Sequence, residues 1–133
     1  MIVVDNSILV PAIVAAHSSS DARRVAAHDY RWILPPLWRY EFTNSIATLL
    51  RAGTIGRDMA YEAISDAHTL VANREVAVDQ NNALRLSALF SVSGYDAQYL
   101  ALAEAYGIKC VTNDKKMARQ APVLAVLMEE YLA

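Results

Sequence analysis

Short apolar runs alternate with longer helical patterns along this chain, and the alternation predicts an α/β fold. Residues 1–5 and 108–112 are rich in Val and Ile, which is typical of buried parallel strands. Further short strands are predicted at 33–34 and 75–78, while residues 123–128 fit either a strand or a helix. Strands this short, separated by helices, favour a parallel sheet of four to five strands with helices on both faces.

Seven helical patterns lie between and after these strands. The two longest stand on either side of Gly53 and predict a helical hairpin. The predicted helices cover 7–16, 18–28, 37–52, 57–72, 80–90, 95–106 and 115–120.

Composition narrows the class of protein. The chain has 133 residues, of which 55% are hydrophobic and 20% charged, and this predicts a single folded domain over residues 1–133. Its longest strictly apolar run, 8–16, is too short to span a membrane, and its start does not resemble a secretory signal, so a soluble cytosolic protein is expected. The lone cysteine, Cys110, lies between apolar neighbours and is expected in the core.

Four acids stand at the ends of predicted elements. Asp5 and Asp114 follow the strands 1–5 and 108–112, and ligands of open α/β sheets bind beyond the carboxyl ends of strands. Asp96 lies in the first turn of helix 95–106, and Glu41 lies in the first turns of helix 37–52. We expect all four to point into one cleft. Each also has a structural alternative, because Asp5 and Asp114 suit helix N-caps and Ser93 with Asp96 has the form of a capping box.

Glu41 begins a short polar stripe that is neutral apart from this one acid. The stripe continues through Asn44, Ser45 and Thr48 at helical spacing, and we interpret it as one wall of a polar cleft. Four converging carboxylates would repel, at about 4 kcal/mol for a like-charged pair about 4 Å apart in an effective dielectric of about 20. A divalent cation or protonation must offset this. An all-oxygen set without His or Cys selects Mg²⁺ or Mn²⁺, which suits phosphodiester cleavage.

The same residues resemble the motifs of the PIN-domain family, in particular the VapC-type toxins of bacterial and archaeal toxin-antitoxin pairs. IVVDNSIL is similar to the family's first strand and first acid, and WRYEFTNSI to its second motif. GYDAQYLALAEAYGIKCVTND resembles the third and fourth motifs. The resemblance covers residues 1–121 and includes every acidic position.

This resemblance implies a three-layer α/β/α fold and a metal-dependent endoribonuclease, often dimeric, held inactive by a small antitoxin. Asp5 and Asp96 would be the principal Mg²⁺ ligands, and Glu41 and Asp114 would complete the site directly or through water. Supporting positions carried over from the motifs are Ser7, Asn44 and Thr112, with Ser7 and Thr112 orienting the carboxylates by hydrogen bonds. The bound ion would activate a water and stabilise charge on the leaving oxygen.

Basic and aromatic residues near the acids are candidates for RNA contact. Lys115, Lys116 and Arg119 follow Asp114 and suit phosphate binding as well as they suit a solvated helix face. Trp38 and Tyr40 suit base stacking, although core or dimer packing explains them more readily. The net charge of −2 is no obstacle, because 12 basic residues against the 10 acids outside the four leave +2.

Two other function classes fit parts of the pattern. A noncatalytic RNA-binding scaffold would keep the fold without needing the acids. A receiver-like signalling domain has a similar length and sheet, but it requires paired acids after the first strand, and here Asp5 is followed by Asn6.

Overall fold

A four-stranded parallel sheet forms the centre of the computed structural model, which describes residues 1–14 and 20–133. Its strands lie in the order β2-β1-β3-β4. They are β1 (Ile2–Val4), β2 (Trp32–Ile33), β3 (Cys110–Thr112) and β4 (Ala125–Leu127). Because β1 and β3 are central neighbours, the residues that follow them meet at the middle of the carboxyl edge.

Helices cover both faces of this sheet. They are α1 (Asn6–Ile13), α2 (Ser20–His28), α3 (Trp38–Arg51), α4 (Arg57–Val71), α5 (Gln80–Phe90), α6 (Asp96–Tyr106), α7 (Lys115–Gln120) and α8 (Met128–Leu132). Helices α3 and α4 pack together as the predicted hairpin. The predicted end of the first helix and start of the second, within 15–19, lie outside the described residues.

The alternation of side chains along the strands divides the core into two clusters. Ile2 and Val4 pack with α1, α2, α3, α4 and α8, whereas Val3 packs with α5, α6 and α7. Likewise Val111 and Cys110, neighbours in β3, belong to opposite clusters. A period of two therefore places one apolar layer on each face of the sheet. The predicted three-layer α/β/α fold is confirmed, and Cys110 is fully buried as expected.

The predicted strand at 75–78 is wrong. Among the described residues, this segment makes one isolated parallel bridge, between Leu34 and Glu75. Leu34 donates its N–H to the carbonyl of Arg74 and accepts from the N–H of Val76. The next donor needed to continue a parallel ladder is residue 36, and Pro36 has no N–H, so the pairing stops there.

The structure also decides the segment whose pattern fitted two element types. Residues Ala125–Leu127 form β4 against β3, and the chain then turns directly into α8. Met128 and Tyr131 of α8 pack onto the same core cluster as Ala22 and Val25 of α2. The tail thus completes the sheet and one helical layer. None of the helices in the described part of the chain combines the length and apolar character needed to cross a membrane.

Candidate active site

Asp5 lies at the carboxyl end of β1, where it is both a helix cap and a buried acid. As the N-cap of α1, its Oδ1 accepts from the N–H of Ser7 at 3.1 Å. The same Oδ1 accepts from Ser7 Oγ at 2.5 Å, and Oδ2 accepts from Thr112 Oγ1 at 2.5 Å. Asp5 is only 8% exposed to solvent. The capping interpretation is therefore confirmed for this residue, whose carboxylate is also buried between the ends of β1 and β3.

Hydrogen bonds join the ends of β1 and β3 into one rigid edge. The N–H of Asn113 donates to Ser7 Oγ at 2.8 Å, and the N–H of Asp114 donates to Thr112 Oγ1 at 2.9 Å. Each hydroxyl thus links an acid on one side to the backbone on the other. Asp114 Oδ1 in turn accepts from the N–H of Met117 at 3.1 Å and caps α7. Ser7 and Thr112 hold the Asp5 carboxylate at a defined position between the two strands.

Glu41 is held by a residue that the motif analysis did not single out. The hydroxyl of Tyr99 donates to Glu41 Oε1 at 2.6 Å, joining α6 to α3 across 58 positions of sequence. Tyr99 is 1% exposed. A signal for it was present in the sequence: a Tyr one helical turn after Asp96 on a mostly apolar helix requires a partner for its hydroxyl. What the sequence does not show is which acid provides that partner.

Asp96 is the first residue of α6, and its charge acts on Asp5 and Glu41. Its N–H donates to Ser93 Oγ at 3.0 Å, which is half of the predicted capping box. Its carboxylate contributes to the raised pKa of both Asp5 and Glu41, and the Asp114 carboxylate contributes to the raised pKa of Asp96. The four predicted acids therefore interact electrostatically, and Asp96 is the one that links the others. We call Asp5, Glu41, Asp96 and Asp114 the carboxylate cluster.

Burial is the main cause of the raised pKa values of Asp5, Glu41 and Asp96. It raises the pKa of Asp5 to about 6, against the hydrogen bonds from Ser7 and Thr112 that lower it. Burial likewise raises the pKa of Glu41, and the hydrogen bond from Tyr99 opposes this. It also raises the pKa of Asp96, an effect that Ser93 and the Lys116 ammonium reduce. Each of these carboxylates is thus harder to ionise than an ordinary acid, so a nearby positive charge would stabilise the ionised cluster.

The donors of the cluster fit a hard cation in chemical type. Every side chain in it offers carboxylate oxygen, which Mg²⁺ prefers. Across residues 1–14 and 20–133, no three or more His, Cys, Asp or Glu side chains are close enough to bind one ion together. This spacing suits Mg²⁺, which commonly keeps several waters and takes one or two protein carboxylates. The residues present therefore fit a hydrated magnesium ion better than a fully protein-coordinated metal.

The predicted RNA-binding residues separate onto two sides of α7. The charge of Lys116 reaches Asp96, where it opposes the rise in pKa of that acid. Lys115 and Arg119, one turn apart, instead line a groove of about 350 Å³ along β4, together with Lys109 and Glu130. All three predicted residues are exposed. Among the described residues, Lys116 is the member of this trio whose charge lowers the pKa of an acid in the carboxylate cluster.

A second groove, of about 330 Å³, opens beside Glu41. Its other lining residues are Leu37, Tyr40, Asn44 and Tyr95. Asn44 therefore has a groove-lining position, whereas Trp38 is 2% exposed and belongs to the core. We call this surface the Glu41 groove.

The remaining members of the predicted polar stripe have local roles. Ser45 Oγ accepts from Asn6 Nδ2 at 2.7 Å, which joins the start of α1 to α3. Thr48 Oγ1 donates to the carbonyl of Asn44 at 2.9 Å within α3. The stripe is thus a partly exposed wall that the amino end of α1 contacts at Ser45.

This chain has a parallel sheet between two helical layers, with acids beyond the ends of its central strands. It therefore belongs to the class of α/β proteins whose ligands bind at the carboxyl ends of the strands. Within this class the chain belongs to the PIN domain family, whose sequence model matches residues 2–122. The match spans the whole carboxylate cluster and stops before β4. Membership in this family disfavours the receiver-like alternative.

Two proteins of Pyrobaculum aerophilum are similar to this chain. Ribonuclease VapC3 is 29% identical over 126 residues, which covers 92% of this chain and 96% of that protein. The crystal structure of PAE2754 superposes with a TM-score of 0.76 at 20% identity, covering 98% of this chain and 85% of that one. The second similarity supports the fold alone. It extends over nearly the whole chain and so is consistent with β4 and α8 as parts of the same architecture.

Proposed function

We propose that this protein is a Mg²⁺-dependent endoribonuclease that acts as the toxin of a toxin-antitoxin pair and is inhibited by a small cognate antitoxin. The observation that carries the proposal is the carboxylate cluster. Its buried or half-buried members Asp5, Glu41 and Asp96 have raised pKa values, and the charge of Asp96 acts on the other two. Acids whose surroundings raise their pKa, and which lie at the carboxyl ends of strands, are typical of functional sites. The similarity to a protein named Ribonuclease VapC3 supports RNA as the substrate.

In this proposal Asp5 and Asp96 hold the ion directly, and Glu41 and Asp114 complete the site through water, since no three of these side chains are close enough to share one ion. Mg²⁺, or Mn²⁺ in its place, supplies an activated water and stabilises developing charge when bound. Ser7 and Thr112 hold Asp5 in place, and Tyr99 holds Glu41. Lys116 lies where it can attract an RNA phosphate toward the cluster.

The direct test is RNA cleavage by purified protein freed of any antitoxin. Pools of tRNA, rRNA and unstructured RNA are incubated with Mg²⁺, with Mn²⁺ and with chelator. We expect cleavage only with metal, and a loss of at least about 100-fold in Asp96→Asn, since even partners of metal ligands contribute about 10- to 100-fold. Glu104→Gln is the matched control, because Glu104 lies on the same helix but pairs with Arg85 at 2.5 Å.

The failing outcome is also defined. If the unaltered protein cuts no RNA of any class with either metal, the enzyme proposal is wrong. If the Asp96→Asn variant, prepared in the same way, cuts RNA as well as the unaltered protein does, the activity belongs to a contaminant or to other residues. Cellular effects that survive Asp96→Asn would instead favour the noncatalytic RNA-binding scaffold.

Metal binding has a readout that does not depend on cleavage. A ligand that binds only the folded state at 100 times its Kd stabilises it by about 2.7 kcal/mol. We expect Mg²⁺ to raise the unfolding temperature of the unaltered protein and of Glu104→Gln, but not that of Asp96→Asn. Equal shifts in all three proteins would place the ion elsewhere.

The toxin role and the dimer are tested in cells and in solution. Expression of the unaltered chain is expected to stop growth, while Asp96→Asn is expected to be harmless. Co-expression of a small protein that copurifies with the chain should restore growth and block cleavage. Light scattering of the purified chain tests the proposed homodimer. Growth arrest that persists in Asp96→Asn would contradict the toxin mechanism proposed here.

A further inference from the structure

Two tyrosines on the rim of the Glu41 groove remain largely exposed. Tyr40 is 72% exposed and Tyr95 is 68% exposed, and both line the groove that contains Glu41. They come from different elements, since Tyr40 belongs to α3 and Tyr95 immediately precedes α6. The hydrogen bond from Tyr99 of α6 to Glu41 of α3 joins these two elements at an acid that lines the groove. The two exposed rings are therefore held beside an acid of the carboxylate cluster.

We infer that the Glu41 groove binds one unpaired nucleobase of the RNA substrate against the rings of Tyr40 and Tyr95. This inference rests on the proposed function and extends it to how the substrate is held. Aromatic rings stack on any base with little regard to sequence, and they do so on single strands whose bases are free. The substrate class is accordingly single-stranded RNA, or a loop with an unstacked base next to the cleaved bond.

The lining of the groove favours a base over a phosphate. Its described lining contains one acid, one amide and apolar or aromatic side chains, and it contains no Lys or Arg. A phosphate beside Glu41 would be repelled, whereas a neutral base is not. The amide of Asn44 offers both a donor and an acceptor for a base edge. The backbone phosphates are then left to Lys116, which acts on Asp96 and does not line the groove.

Its size and position argue against a protein segment as the occupant. About 330 Å³ is near the lower limit of small-ligand sites, a size that suits a single base. The groove is also continuous with the carboxylate cluster through Glu41, as a subsite for the nucleotide next to the scissile bond must be. Exposed tyrosines also occur in protein interfaces, so this alternative is included as an outcome of the test.

The test replaces the rings and keeps the acids. Tyr40→Leu and Tyr95→Leu remove stacking, and Tyr40→Phe and Tyr95→Phe retain it. Tyr61→Leu is the matched control, because Tyr61 is 71% exposed on α4 and does not line the groove. Binding is measured with a short single-stranded oligoribonucleotide containing 2-aminopurine, whose fluorescence falls when the base stacks. The binding assay uses each replacement on the Asp96→Asn background, and cleavage kinetics use otherwise unaltered protein.

We expect each Leu replacement to weaken binding by roughly 5- to 100-fold and to abolish the fluorescence change. It should raise KM for single-stranded RNA more than it lowers kcat. The Phe replacements and Tyr61→Leu should stay within about twofold of the parent, because a ring remains in the groove or the groove is untouched. Duplex RNA should bind all variants alike.

The outcomes separate this inference from the proposed function. Cleavage by the unaltered protein, with Tyr40→Leu and Tyr95→Leu behaving as Tyr61→Leu does, overturns the base subsite and leaves the nuclease intact. Ring-dependent quenching without cleavage supports the subsite and overturns the nuclease. A change in oligomeric state or in antitoxin inhibition, with unchanged RNA binding, also overturns the subsite and assigns the tyrosines to a protein interface.

Discussion

Two groups of acids in this molecule have opposite electrostatic surroundings. Asp29, Glu75 and Glu104 each pair with an arginine, and each has a lowered pKa. Burial raises the pKa of Asp29 and of Glu75, but hydrogen bonds from cationic neighbours outweigh it. For Glu104 the hydrogen bond from Arg85 is itself the largest influence. We call these three the paired acids.

The carboxylate cluster lacks such arginine partners among the described residues. Its hydrogen-bond donors are neutral hydroxyls and backbone N–H groups, and burial raises the pKa of Asp5, Glu41 and Asp96 despite them. The paired acids are satisfied within the chain, whereas the cluster remains in need of positive charge. The acids of the cluster are therefore arranged for a ligand, at some expense in stability.

The largest expected effect separates the two groups by function. Asp5→Asn should lower metal-dependent cleavage by at least about 100-fold, because it removes a proposed ion ligand. Asp29→Asn should leave cleavage within about twofold and should lower the free energy of unfolding by about 1 kcal/mol, as expected for a surface ion pair. Cleavage assays and urea unfolding of both variants measure this. Full activity in Asp5→Asn would remove the distinction.

The pH dependence of stability should have opposite signs in the two groups. The folded-state pKa of Asp5, about 6, lies above the ordinary value of 3.8, so the penalty for ionising it appears as pH rises from about 4 to about 6. In the presence of chelator, Asp5→Asn should therefore be more stable than the parent above pH 6. The gain has an upper limit of about 3 kcal/mol and should vanish near pH 4.

A paired acid supplies the contrast for that measurement. The pKa of Glu104 is lowered, so its stabilisation is present above its ordinary pKa and is lost as pH falls through the folded-state pKa. Glu104→Gln should thus be less stable than the parent at neutral pH and should approach it in acid. Urea titrations at several pH values test both variants. A stability difference for Asp5→Asn that does not change with pH would contradict the raised pKa.

Tyr99→Phe should have an intermediate effect. It removes the hydrogen bond to Glu41 Oε1 and keeps the buried ring. Because that bond lowers the pKa of Glu41, its loss should raise this pKa and move the acid limb of the cleavage profile to higher pH. We expect a decrease of about 10- to 100-fold in activity near neutral pH. Tyr106→Phe, at the other end of α6 and 48% exposed, should change neither activity nor profile.

Lys116→Gln should have the smallest effect and should distinguish the two sides of α7. The charge of Lys116 acts on Asp96, so we expect a severalfold rise in KM for RNA and a loss of about 0.7 from the salt slope of binding, as for one single-strand phosphate contact. Lys115→Gln should change both less, since Lys115 lines the groove along β4. Equal effects in the two variants would assign phosphate contact to the whole helix.

Much of the fold and of the candidate acids could be predicted because their signals are local. Short apolar runs predicted β1 and β3, and an acid at or just beyond the end of each run placed Asp5 and Asp114 at the carboxyl edge of the sheet. The prediction of a strand at 75–78 was wrong because the segment it pairs with, at Leu34, is followed by Pro36. Pro36 has no N–H to donate, so the pairing cannot continue. A local pattern cannot show whether its partner is able to pair.

The α/β layers and the acids at the ends of strands 1–5 and 108–112 could be predicted from the sequence alone, because they follow from short apolar runs and from adjacency along the chain. The tertiary structure was needed to show which hydroxyl holds which acid, as in Tyr99 with Glu41, and which ring is exposed, as in Tyr40 against the buried Trp38. It also made residues 125–127 a strand by placing β3 beside them. Such outcomes depend on contacts between residues tens of positions apart, and the packing of whole layers selects them.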